Sequence, residues 1–373
     1  MPSPPAAFAC RHRKIVSPDM SQRFLPRIES MRGIAALTVV GFHVSNQFSA
    51  RPAFGWFDGC AFLILTAFFN GFGAVVIFFV LSGFVLARSL DANSDPTRFF
   101  RNRFFRLFPA AIFVVTLLTA LHWQFGIYVD ETSFDAGNVI LNLLMIKSDI
   151  NRVMWSMTVE CVATPLILLS VWLFHKHGER PLWILVAVLL SLSPIGQYSH
   201  LLGGYTSLAP LYAFVVGVLI HFRGARIASL IGPRLRTASI IAIVIFCFCG
   251  TRTQSALVVM LECLSAATLV VLVAYRPTAG LFDPLDFQVC RFYGRISYSF
   301  YLLHTLGILF ADRALALLDF PLSALPIVAA TILLTLVSIL ITTPAAYLSW
   351  RFIEVPAIKF AKNIQITRPL VAH

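Results

Sequence analysis

Charge is what this sequence has least of. Only 12% of its 373 residues are charged, about half the roughly 25% usual in a soluble domain. That scarcity excludes a water-exposed globular surface. With 58% hydrophobic residues and a mean hydropathy of +0.82, most of the surface belongs in lipid. Acidic residues are scarcer still, 17 against 29 Lys and Arg, for a net charge of +12. In a soluble chain such an excess would suggest nucleic acid; in a membrane chain the positive-inside rule accounts for it, and no nucleic-acid partner is expected. The seven cysteines show no C-x-x-C spacing and fall mostly within apolar runs. A zinc site or disulfide framework is thereby excluded, no metal is expected, and the cysteines read as small packing residues. No repeat of fixed period is present, which excludes a solenoid. The opening stretch, rich in Pro and basic residues, lacks the apolar core of a signal peptide. Residues 1–26 are expected to form a disordered cytoplasmic tail, and residues 357–373 a second one.

What is present is a succession of apolar stretches of membrane-crossing length. They fall at about 32–50, 60–88, 108–126, 153–175, 181–198, 205–222, 237–251, 254–275, 293–313 and 322–348. The pattern predicts an all-α integral membrane protein of about ten transmembrane helices, its membrane domain spanning 27–356. With both termini cytoplasmic, 24 of the 29 Lys and Arg lie inside and only Arg51, Lys147, Arg152, Arg252 and Arg313 outside. That asymmetry sets the orientation. The segment 136–146 is too short to cross and reads as a half-helix or amphipathic turn on the outer face.

Within these spans a few polar residues demand an explanation. Arg32 and His43 are eleven residues apart, about 16.5 Å and three turns along a helix, so they share a face. Arg32 would sit at the inner surface and His43 near the midplane, where an ionisable group is costly and marks function. Ser82 and Gly83 lie in the inner half of the second span. They read either as close helix packing or as a point where a ligand meets the backbone and takes a hydrogen bond from Ser82. Arg98, Arg101, Arg103 and Arg106, interleaved with Phe, fall on an inner loop leading into the third span. Their guanidinium forks suit phosphates, with plain topology and lipid headgroups as the bland alternative.

Glu160 is a buried carboxylate about 10 Å into the fourth span, at a depth His43 can share; it reads either as a partner that orients the imidazole and fixes its tautomer or as a structural Glu hydrogen-bonded to backbone or Ser156. Ser297, Tyr298, Tyr301 and His304 step from the inner surface towards the midplane, as the lining of a cavity would. His304 reads equally as a helix–helix hydrogen bond. Arg351 and Glu354 can pair at i,i+3 and read as an anchor, and Glu262 is a buried carboxylate with no evident partner.

Taken in order, these motifs resemble the integral-membrane acyltransferase family 3, whose members include O-acetyltransferases of bacterial surface polysaccharides. The resemblance rests on Arg32 with His43; on Phe78, Phe79, Ser82, Gly83 and Phe84; and on Arg103, Arg106, Leu107 and Pro109. It continues through Trp155, Ser156 and Glu160, with Met157 replacing the usual Leu, then Ser297, Tyr298, Tyr301, Leu302 and His304, and closes with Phe352 to Pro356. It covers about residues 27–356.

The resemblance implies an acyltransferase that takes acyl-CoA, usually acetyl-CoA, as a donor substrate from the cytoplasm, with no permanently bound cofactor. It implies transfer to a hydroxyl of a carbohydrate or exopolysaccharide, in a bacterial inner membrane with lipid around the chain. On that reading His43 is the general base or a transient acyl carrier, Glu160 orients it, and Arg32 holds CoA phosphate or polarises the thioester. Arg103 and Arg106 pair with CoA phosphates, and Ser82, Gly83 and Tyr298 contact the donor or the developing oxyanion. Two rivals stay open: a secondary transporter using a buried His/Glu proton relay, and an acyltransferase with a succinyl donor or a non-carbohydrate acceptor.

Overall fold

The structure, a computed structural model, describes residues 18–196, 210–276 and 280–364, with side chains from residue 26 onward. Most of the first expected tail, the end of the second and the start of the expected span 205–222 lie outside the described residues. The described chain is helical, without a strand: α1 (Pro18–Phe48), α2 (Gly55–Phe68), α3 (Gly71–Ala92), α4 (Pro96–Phe125), α5 (Ala136–Leu143), α6 (Trp155–His177), α7 (Arg180–Gly196), α8 (Leu211–Ile231), α9 (Leu235–Gly250), α10 (Ala256–Tyr275), α11 (Gln288–Leu317), α12 (Ile327–Ser349) and α13 (Val355–Asn363). Each of the ten expected apolar stretches is mostly helical over its described part. Among the described residues seven segments, counting Gly55–Ala92 as one, are long and apolar enough to cross a membrane. The apolar helices α7 and α9 are shorter, and α1, which carries Arg32 and His43, is not among the seven.

Three boundaries depart from expectation. The expected single span 60–88 is two helices, because Asn70 stops one and starts the next. Its side chain accepts from Gly73 N at 2.8 Å, capping α3. Its amide donates to the Phe246 carbonyl at 2.9 Å and to Glu262 Oε1 at 3.0 Å, which also gives Glu262 the partner that sequence reading lacked. The expected basic loop before the third span is helix: Asp95 caps it by accepting from Thr97 N and Arg98 N, Pro96 takes the first position, and α4 ends at Gly126 in the left-handed region. Arg98 to Arg106 therefore stand on α4. The expected stop at Pro356 is instead a π-turn, Trp350–Glu354, running directly into α13.

Helix contacts position the site. α1 packs most extensively on α11, α11 on α12, and α3 on α8. The α1–α11 seam closes where Gly33 faces Gly294, since a Cβ on Gly33 would stand 2.5 Å from Gly294 N. The α3–α8 seam closes at Gly83 and Gly217, where an added Cβ would meet the Phe214 carbonyl at 2.0 Å and the Val80 carbonyl at 2.2 Å, respectively. Small residues at these crossings let the backbones touch, as membrane helices require.

Candidate active site

Two carboxylates organise the polar interior. Glu160, on α6, accepts from Ser82 Oγ of α3 at 2.9 Å and from Arg103 Nη2 of α4 at 2.7 Å. Glu354, in the π-turn, accepts from the Arg106 guanidinium and from Ser299 Oγ of α11 at 3.0 Å. Both carboxylates are buried, 5% and 1% exposed. Arg103 and Arg106 share an α4 face at i,i+3, yet they diverge to acids on different elements. The Arg106 guanidinium also lies over the Tyr298 ring, 5.7 Å from its centroid. Arg32 of α1 stands within the electrostatic field of Arg103, Arg106, Glu160 and Glu354. Three guanidinium groups against two carboxylates leave this cluster with one positive charge in excess, which favours an anionic ligand.

His43 lies elsewhere on the same helix, half-buried, its ring 5.2 Å from that of His304 with a 45° tilt. His304 is fully buried, with Nδ1 2.6 Å from the Tyr301 carbonyl. Tyr301 is pinned in turn: its hydroxyl donates to the Val153 carbonyl at 3.0 Å and accepts from Ser156 Oγ at 3.0 Å. Arg103 Nε, Ser297 Oγ and His304 Nε2 are buried with no hydrogen-bond partner among the described residues. Such orphaned groups are rare in stable interiors and point to a ligand or a catalytic use.

The predicted residues are thus partly gathered and partly reassigned. Ser82, Arg103 and Glu160 form one hydrogen-bonded unit, and Arg106 and Tyr298 touch. Glu160 does not serve as the partner of His43 as expected: its oxygens are taken by Ser82 and Arg103, and the imidazole packs on His304. Gly83 faces α8 backbone, so its role is helix packing and not access for a ligand. The Tyr298 hydroxyl is committed to the Leu107 carbonyl at 2.5 Å. The Ser82 hydroxyl is likewise engaged. Arg351 is exposed and does not hold Glu354, because the π-turn carries Glu354 inward to Arg106. Sequence reading missed Glu354 and Ser299 as site residues: Arg106, the partner of Glu354, is 248 residues away from it, Ser299 donates to the same carboxylate, and a local i,i+3 pair was the simpler expectation.

The helices that hold the Ser82–Arg103–Glu160 unit also enclose, towards their other ends, a cavity of about 600 Å³. Leu90, Asp91 and Ser94 line it from α3 and the following turn, Pro96 from α4, and Trp172 and His175 from α6. Asp91 there meets His221 Nε2 at 3.1 Å and His175 Nε2 at 3.5 Å. On the opposite side of the molecule the loop around α5 is knotted on Asp149, which accepts from Asn142 at 2.6 Å and Thr132 at 3.1 Å. Burial pushes the Asp149 carboxyl up, but these hydrogen bonds outweigh it and hold it below its usual value.

Comparison with known proteins bears on the family of the chain. A family model described as an acyltransferase domain matches residues 25–347. ORF330 of Acidianus two-tailed virus, a proposed acetyltransferase, is 26% identical over 52% of this chain and 54% of its own length. The acyltransferase MdmB of Streptomyces mycarofaciens is 31% identical over 43% of this chain and 42% of its own. BcsY of Komagataeibacter xylinus, a proposed membrane-bound transacylase, is 33% identical over 32% and 26%. The chain spans about half or less of the length of these curated relatives. No solved structure matches it.

Proposed function

The chain belongs to the acyltransferase family whose domain matches residues 25–347, and on that premise we propose that it moves an acetyl group from cytoplasmic acetyl-CoA to a hydroxyl of a carbohydrate at or beyond the far membrane face. The observation that carries this reading is the single polar seam built on α1. Arg32 enters the cationic cluster of Arg103 and Arg106, and three turns further along α1 His43 packs against the ring of His304. Such a seam gives an anionic donor and a neutral alcohol different ends of one helix.

The chemistry balances with the residues present. His43, half-buried and therefore reachable, takes the proton of the acceptor hydroxyl as its oxygen attacks the thioester carbon. The C–S bond then breaks, and the departing thiolate takes that proton back from His43. A positioned base of this kind is worth about 10²–10⁴-fold in rate. Arg32, Arg103 and Arg106 supply positive charge for the phosphates of the donor, with Arg103 and Arg106 already partly neutralised by Glu160 and Glu354. The cavity by Asp91 and Trp172, on the same three helices as Glu160, supports a path for the donor from the inner surface.

The test is acetyl-CoA binding by calorimetry and acetyl transfer by product analysis, both on full-length protein in nanodiscs. His43→Ala is expected to bind donor as wild type does while losing about 10²–10⁴-fold in turnover. Arg32→Ala is expected to weaken donor binding about tenfold, the worth of one charge contact of roughly 1.4 kcal/mol. Full turnover by His43→Ala would remove the base from this scheme. A folded wild type that binds neither acetyl-CoA nor succinyl-CoA would instead favour a transporter.

A further inference from the structure

A buried ring nitrogen on α11 has no structural use. His304 is 0% exposed and lies between α1 and the loop leading into α6. Its Nδ1 is 2.6 Å from the Tyr301 carbonyl. A carbonyl only accepts, so Nδ1 carries the hydrogen and Nε2 is left as a bare acceptor. Helix geometry fixes this arrangement, since Tyr301 precedes His304 by one turn and is itself tied to Val153 and Ser156. Nε2 is buried and has no hydrogen-bond partner among the described residues. Nothing apolar in the fold requires a histidine there, and a Leu or Phe would fill the volume without leaving an acceptor unsatisfied. The neighbour is His43, whose ring is 5.2 Å away, and the two side chains act on each other electrostatically.

We propose that His304 is the positioning residue for His43: its Nε2 accepts a hydrogen bond from the far nitrogen of the His43 ring as that ring takes the proton of the acceptor hydroxyl. This rests on the reading of His43 as base given above, and it replaces Glu160 in the orienting role. The base-plus-orienter logic of catalytic triads is preserved, with an imidazole as the third member. The absence of that bond in the resting protein fits the loose geometry of unliganded sites, which tighten only with substrate bound. The same step explains why the histidine is buried and polar at once. A neutral acceptor can steady an imidazolium in an apolar interior without adding a second charge there.

Two variants separate positioning from packing. His304→Phe keeps the ring volume and removes the acceptor, and His304→Gln restores an acceptor near the place of Nε2. With acetyl-CoA and methyl glucoside as probes, His304→Phe is expected to lose about 100-fold in kcat with donor KM held within about threefold. His304→Gln is expected to recover at least about tenfold of that loss. A Phe variant with wild-type kcat, or a Gln variant no better than Phe, overturns the proposal.

A second readout needs no turnover and uses ¹⁵N-histidine-labelled full-length protein in nanodiscs. The His304 resonance is identified by its loss in His304→Gln, and it is expected to report hydrogen on Nδ1. The His43 resonance, identified by its loss in His43→Asn, is expected to move in His304→Phe and to stay near its place in His304→Gln. A His304 carrying hydrogen on Nε2, or a His43 resonance indifferent to both variants, overturns the pairing. If wild type turns over no acetyl-CoA, the functional reading has failed, and the spectra still decide whether the pair exists.

Discussion

At the scale of residues, the interior is governed by what each carboxylate is allowed to leave unpaired. Glu160 and Glu354 are buried, and each is held by one arginine and one serine. Breaking a buried pair from one side strands a charge and costs about 3–5 kcal/mol, whereas removing both charges together costs much less. Arg103→Ala is therefore expected to lower stability by about that amount. The double variant Arg103→Ala/Glu160→Gln is expected to be the more stable of the two in denaturant titrations of the micellar protein. Additive losses would show that the two side chains do not depend on each other. Arg103, Glu160 and Ser82 were all legible in the sequence as site residues. Their mutual bonds were not, because depth along a helix locates a side chain to within a turn and says nothing of which neighbour it faces.

At the scale of elements, local chemistry redrew what hydropathy had merged. A single asparagine divides the apolar run 60–88, and hydropathy averaged over a window does not register one polar residue that doubles as helix cap and buried donor. The inward turn of Glu354 was equally hidden. One extra residue in a π-turn rotates the side chain off the face that 3.6-residue periodicity assigns it. The α5 segment, by contrast, was readable as too short to cross, and Asp149 in the loop beyond it makes a pH prediction. Hydrogen bonds from Asn142, Thr132 and Asn138 hold that carboxyl below its usual value against the upward push of burial. A depressed folded value means stabilisation that is complete above the unfolded value of about 3.9 and is lost as pH falls through the folded one. Asp149→Asn is thus expected to lower the unfolding temperature at pH 7. The gap to wild type should close as pH drops below about 3.9. A gap that persists unchanged at low pH would mean that the loop does not depend on the ionised carboxylate.

At the scale of the whole molecule, topology turns on how many helices cross. Ten crossings return both ends of the chain to one side, and the basic residues favour that side as the cytoplasm. The helices on which the count hangs are α1, α7 and α9, and of these α7 and α9 have only 17 and 16 residues. At about 1.5 Å per residue they span roughly 24–26 Å, short of a hydrocarbon core of about 30 Å. A short helix crosses by thinning the bilayer and by letting its flanking residues snorkel. Basic residues sit where that mechanism needs them, with Arg180 at the start of α7, Arg234 and Arg236 at the start of α9 and Arg252 just past its end. Single-cysteine labelling with an impermeant maleimide, on a background freed of the native thiols, reads the outcome directly. Cysteines at Arg98 and Arg236 are expected to react from the cytoplasmic face, and cysteines at Lys147 and Thr251 from the other. Arg236 and Thr251 reacting from the same face would mean that α9 enters and leaves on one side. α10, α11 and α12 would then all reverse direction, leaving α11 antiparallel to α1, against the contacts of Gly33 with Gly294 and of His43 with His304, which run the two helices in the same sense. The labelling of Arg236 against Thr251 therefore tests the crossing of α9 and, with it, the orientation on which donor entry from the cytoplasm depends.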